Sequence, residues 1–157
     1  MKPLVSTFLA LAVACAASMS SSPVLAQAAG GPRTIEIKAS EQMKYDVTAI
    51  TAKPGEALRV RLIAIGTMPK MVMSHNFVLL KSTANAKAFA EKAAMANTTG
   101  YMPPDLKPQV IIASTLIGAG EKTEVMFKAP TAPGKYTYLC TFPGHFLAGM
   151  TGVLTVK

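Results

Sequence analysis

The chain has 157 residues, enough for one domain with a genuine hydrophobic core. It is 50% hydrophobic and only 15% charged, which excludes disorder over most of its length. The net charge is +8, yet the basic residues are scattered and no basic run is interleaved with aromatics, so nucleic acid is excluded as a partner. The charge reads first as a solvated positive surface, and second as steering toward an acidic partner or an anionic membrane face.

Residues 1–26 read as a secretory signal peptide. Lys2 gives a positive start, Leu4 to Ala17 is apolar apart from Ser6 and Thr7, and small residues lead to a cut after Val24-Leu25-Ala26, with a cut after Ala28 as the alternative. The apolar run is shorter than the roughly 20 residues of a membrane span, and no later segment approaches that length. A competing reading makes Cys15 a lipid-bearing residue, because Leu11-Ala12-Val13-Ala14-Cys15 is loosely like a lipoprotein cleavage box. The expected location is periplasmic, with membrane attachment only through Cys15. Residues 27–33 form a short lead, and 34–157 a single domain without repeats, expected as a monomer.

Within the domain, Thr34-Ile35-Glu36-Ile37-Lys38 alternates apolar and polar, and Leu58-Arg59-Val60-Arg61-Leu62 does so with its arginines on the wet face. The stretch Ser82 to Met95 is rich in helix formers, with Ser82 or Thr83 as its expected cap and Asn97-Thr98-Thr99-Gly100 as its end. Tyr101 to Pro108 is an irregular return. Val125 and Phe127 alternate with Met126 and Lys128. Tyr136, Tyr138 and Cys140 share one face of another strand, and Gly152 to Lys157 is extended again. Turn signals at Pro54-Gly55, Gly118-Ala119-Gly120 and Pro133-Gly134 separate these runs. Short strands with regular turns indicate an all-β sandwich or barrel carrying one inserted helix.

The chain holds two cysteines and two histidines. Once residues 1–26 are removed, Cys140 is unpaired in an oxidising compartment, which calls for a reason. Metal ligation supplies one. In Cys140-Thr-Phe-Pro-Gly-His145-Phe-Leu-Ala-Gly-Met150 a thiolate, an imidazole and a thioether recur at five-residue steps on one loop. That soft set suits copper, and a trigonal His, His, Cys group with a weak axial Met is a general type of electron-transfer copper site. The remaining imidazole is His75, on an apolar strand, where it serves as the rigid inner ligand. The outer edge of His145, beside Pro143, Gly144 and Phe146, is expected to reach the surface. Pro143 removes one backbone N–H near the sulfur, and Asn76 is placed to pin the two ligand segments together. Structural zinc prefers four Cys or His ligands and rarely takes a thioether, and only three are present.

These residues resemble the cupredoxins, the blue-copper family, and within them the azurins and auracyanins. The resemblance runs from about Thr34 to Lys157. It is carried by Met73-Ser74-His75-Asn76-Phe77-Val78-Leu79, by Leu116 to Lys122 and by Cys140 to His145, with a weaker piece at Ala49-Ile50-Thr51. It implies a Greek-key β-sandwich with an inserted helical flap, and one type 1 copper held by His75, Cys140, His145 and Met150. It also implies a distant axial contact from the backbone carbonyl of Ser74, where azurins have Gly. An apolar docking patch for redox proteins is implied around His145, formed by Met73, Phe142, Gly144, Phe146, Leu147 and Ala148. Three features depart from azurins. Four residues separate His145 from Met150 instead of three, as in auracyanin and plastocyanin. Arg33 and Gly55 fall near where the halves of the azurin disulfide would lie, and Phe77 stands in place of the core Trp.

The expected activity is single-electron transfer by Cu(II)/Cu(I) cycling, without enzymatic turnover. No second histidine cluster and no Ser-His-Asp set can be assembled. The alternative is a copper carrier or storage protein, for which Met68, Met71 and Met73 would form a second soft site; against it, these methionines pack the sandwich end or the patch.

Overall fold

The computed structural model describes residues 31–157, so the signal-peptide reading over 1–26, Cys15 and most of the 27–33 lead lie outside the described residues. Nine strands form two sheets: β1 (Arg33–Ser40), β2 (Lys44–Tyr45), β3 (Ala49–Ala52), β4 (Ala57–Ile65), β5 (Val78–Leu80), β6 (Val110–Ala113), β7 (Lys122–Lys128), β8 (Gly134–Leu139) and β9 (Thr151–Val156). One sheet has the order β2-β1-β4-β7 and the other β3-β9-β8-β5-β6. The pairs β1/β4 and β3/β9 run parallel, and the remaining neighbours antiparallel.

The period-two pattern explains the sandwich. Along β4 the side chains of Leu58, Val60, Leu62 and Ala64 are buried, whereas Arg59 and Arg61 turn outward. Arg61 Nε meets Glu124 Oε1 on β7 at 2.6 Å, across a register that faces the two residues. The inner faces of both sheets supply one apolar core that includes Ile37, Leu58, Leu62, Phe77, Tyr138 and Leu154. Phe77 is 1% exposed and tilts against Tyr138 at 5.0 Å between ring centroids.

The helix is shorter than its composition suggests. It spans α1 (Ala86–Ala94), and its cap is Asn85, whose side chain accepts from Ala88 N–H at 3.0 Å. Ser82 and Thr83 are instead spent in a turn that Ala84 closes onto the Lys81 carbonyl. Asn85 wins because its carboxamide reaches the third residue onward from an extended backbone. The return after α1 is also more ordered than expected: Pro104–Gln109 forms a 3-10 segment that leads directly into β6. Phe89 and Ala93 of α1 pack with Val78, Leu80 and Leu139 in a second cluster, which seats the helix beside the end of β8.

That end of β8 positions the site. Cys140 follows the last residue of β8 and Met150 precedes the first of β9, so the loop 140–150 caps one end of the sandwich. Among the described residues, no helix is long and apolar enough to cross a membrane.

Candidate metal centre

His75 does not lie within a regular strand. It forms an isolated antiparallel bridge with Ile117, each N–H donating to the other's carbonyl at 2.8 Å, a short way before β5 begins. This two-bond clasp still fixes the imidazole to the body of the fold, as a rigid ligand requires.

The loop 140–150 is coiled by its own backbone. His145 N–H donates to the Phe142 carbonyl at 3.1 Å and Met150 N–H to the His145 carbonyl at 2.9 Å, while Cys140 N–H reaches the Met150 carbonyl at 3.2 Å. The last bond closes the loop, so Cys140 and Met150 face each other at its mouth.

The donor atoms of His75, Cys140 and His145 lie within 4.8 Å of one another, and all three residues are buried. Cys140 Sγ stands 3.4 Å from His145 Nδ1, and the two imidazole centroids are 4.9 Å apart. His75 Nδ1 is buried without any hydrogen-bond partner. A buried polar atom left unpaired is costly, and a ligand explains its orientation. Met150 is fully buried at the mouth of the same loop.

Electrostatics fit a metal-ready pocket. Burial pushes the His75 imidazole down to about 4, with Glu41 opposing, and pushes His145 down to about 4, aided by His75. Both rings therefore present lone pairs at neutral pH. Burial raises the Cys140 thiol to about 11, opposed by the backbone N–H groups of Asn76 and Phe142. Two buried imidazoles beside a thiol form a soft donor group that suits copper.

Ser74 is also present at the site. Its carbonyl oxygen lies 3.9 Å from Cys140 Sγ, and its hydroxyl turns away to donate to the Lys70 carbonyl at 2.5 Å. Asn76 ties the ligand segments as expected, through a pair of bonds to Thr141.

The expected exposure of the His145 edge fails. His145 is 1% exposed and its edge does not reach the surface. The loop coils over the ring, Phe142 packs against it at 5.0 Å between centroids, and Tyr101 meets Phe142 edge-on at 5.2 Å. The surrounding apolar residues divide: Leu147 is 73% exposed and Gly144 is open, whereas Met73, Phe142, Phe146 and Ala148 are half-buried. A cleft of about 200 Å³ between α1 and the loop is lined by Ala90, Ala94, Phe142, Phe146 and Leu147, and extends to Cys140. Met68 and Met71 pack less than expected: Met71 is 92% exposed and Met68 40%.

Comparison with known proteins agrees with this geometry. A family model described as copper binding proteins of the plastocyanin/azurin family matches residues 33–157. Azurin of Pseudomonas aeruginosa is 35% identical over 150 residues, covering 94% of this chain and 97% of that protein. Auracyanin-B of Chloroflexus aurantiacus is 32% identical over 126 residues, 79% of this chain, and the chain spans about half of that relative's length (52%). Among solved structures, an azurin from Methylomonas is 33% identical with a TM-score of 0.69, the match covering 80% of this chain and 98% of that one. Dithionite-reduced auracyanin from Roseiflexus castenholzii is 32% identical with a TM-score of 0.66, covering 82% and 99%.

Proposed function

The chain belongs to the plastocyanin/azurin family of copper-binding proteins, and from that premise we propose that it is an exported carrier of single electrons between redox proteins. Copper would be held by His75, Cys140, His145 and Met150, with the Ser74 carbonyl beside them. Copper held there would supply the one-electron Cu(II)/Cu(I) couple. The observation that carries the reading is the convergence of His75, Cys140 and His145 donor atoms within 4.8 Å around an imidazole nitrogen that has no other partner.

The protein's own contribution is rigidity and exclusion of water. His75 is clasped by Ile117, Cys140 by Met150 and the Asn76–Thr141 pair joins the two segments, so the donors would keep one arrangement in both oxidation states. Burial keeps the imidazoles neutral and excludes solvent from the sulfur. No bond of a substrate is made or broken.

A redox protein would dock on the apolar end formed by Met73, Phe142, Gly144, Phe146, Leu147 and Ala148. Fast exchange calls for a small, weak interface. Export by residues 1–26 places domain 34–157 in the periplasm, with lipid attachment at Cys15 as the lesser form.

Voltammetry of the copper-loaded protein tests this: a reversible one-electron wave is expected, with no steady consumption of oxygen or nitrite. Sustained turnover of either, or an irreversible wave, contradicts it. Binding of a second copper per chain would favour the carrier reading instead.

A further inference from the structure

The turn that joins β1 to β2 reaches both halves of the ligand set. Met43 adopts a left-handed backbone (φ 55°) and donates to the Ser40 carbonyl at 2.9 Å, which reverses the chain and sends Lys44 and Tyr45 back along β1. Three contacts leave this turn. The Glu41 carboxylate accepts from the N–H groups of Thr67 and Met68, at the head of the segment that runs to His75. The buried Tyr45 hydroxyl donates to the carbonyl of Asn76, directly after His75. The Lys44 ammonium donates to the carbonyl of Ala148, between His145 and Met150.

Among the hydrogen bonds of the described residues, Lys44 is the one side chain from outside the 140–151 stretch that reaches positions 145–150. Positions 145–150 otherwise bond only within that stretch. Ala148 N–H donates to Gly144, Gly149 N–H to Phe146 and Met150 N–H to His145, each at 2.9 Å. Gly149 sits immediately before Met150 with φ of 90°, where a side chain is strained, and a Cβ there would stand 2.8 Å from Lys44 Nζ. The glycine thus permits the approach of Lys44, and it also leaves a soft hinge next to Met150. Four residues between His145 and Met150 add freedom of their own. A bond from an ammonium to a carbonyl is charge-assisted and limits that freedom.

We propose that Lys44 is the positioning residue for the Met150 thioether. By holding the Ala148 carbonyl it fixes the loop between His145 and Met150, and so sets where the Met150 sulfur stands relative to the other three donors. This assignment rests on the ligand reading given above.

Three variants test it in the full exported chain. Lys44→Met keeps an unbranched stem without the ammonium, Lys44→Gln keeps a neutral donor, and Lys44→Arg keeps charge and donor. In the metal-free protein, amide exchange at Gly149 and Met150 is expected to quicken about fivefold in Lys44→Met, the factor one net hydrogen bond corresponds to. Lys44→Arg restores the wild-type rates, and Leu79 in β5 is unaffected throughout. In the copper-loaded protein the relative intensities of the thiolate charge-transfer bands and the reduction potential shift in Lys44→Met, and both return in Lys44→Arg. Lys44→Gln returns the band ratio but only part of the potential, which separates the tether from the charge. Unchanged exchange and an unchanged band ratio in Lys44→Met overturn the assignment. So does a potential that moves alone, since that reduces Lys44 to a point charge. A wild-type protein that gives no blue colour refutes the ligand reading itself, whereas the exchange result in the metal-free protein is independent of it.

Discussion

Asn76 and Thr141 lie 65 positions apart and exchange two buried hydrogen bonds: Asn76 Nδ2 donates to Thr141 Oγ1 at 2.7 Å, and Thr141 N–H donates to Asn76 Oδ1 at 2.9 Å. Each residue follows a proposed ligand in the chain. The carboxamide therefore locks the His75 segment to the Cys140 loop, whatever occupies the space between them.

Asn76→Ala removes both bonds and leaves the Thr141 N–H buried without a partner. A loss of about 2–4 kcal/mol in unfolding free energy is expected, the sum of a broken pair and one unsatisfied donor. Urea unfolding of the metal-free protein measures it, and copper affinity falls in parallel. A loss within experimental error would show that the clasp at Ile117 holds His75 unaided.

Phe77 lies against Tyr138 at the centre of the core. Phe77→Ala is expected to cost about 3–5 kcal/mol through lost transfer energy and the cavity left behind. Denaturant titration reads this directly, and a cost under about 1 kcal/mol would mean that the core collapses into the space.

Glu41 gives a pH dependence with a definite sign. The N–H groups of Met68 and Thr67 hold its carboxyl below the usual value of 4.5. Between the lowered value and 4.5 the unfolded chain binds more protons than the folded one, so stability rises with pH there. Glu41's contribution is complete above 4.5 and is lost as pH falls through the lowered value. The stability difference between wild type and Glu41→Gln should therefore be present at pH 7 and shrink only in acid. A difference that grows on acidification would contradict the assignment.

Metal removal should destabilise the fold, because a ligand that binds only the native state adds stability by mass action. Thermal unfolding with and without stoichiometric copper is expected to show a clear rise in Tm on loading, and His75→Ala should abolish that rise. Equal melting temperatures would place the metal outside the folded site.

Much of this was legible in the sequence for simple reasons. Long strands such as β4 declare themselves by alternation, and histidines and cysteines are few enough that His75, Cys140 and His145 stand out together, with Met150 marked among ten methionines by its spacing after His145. The remainder depends on tertiary context. A two-residue strand such as β2 carries no periodicity, so the brace formed by Glu41, Lys44 and Tyr45 has no sequence signal. The helix cap fell on Asn85 because Ser82 and Thr83 were already committed to a turn. The covering of His145 arises from loop coiling and from Phe142, itself backed by Tyr101, a residue 41 positions before Phe142 that arrives by way of the helical flap. The thin exposed edge expected at His145 is accordingly a covered ring flanked by an exposed Leu147.

The most direct test of the central claim is one visible spectrum. Cu(II) added to the metal-free exported protein should give an intense blue absorption from thiolate-to-copper charge transfer at one copper per chain, and Cys140→Ser should abolish it. A colourless or merely pale product from the wild-type protein would contradict a copper centre built on Cys140.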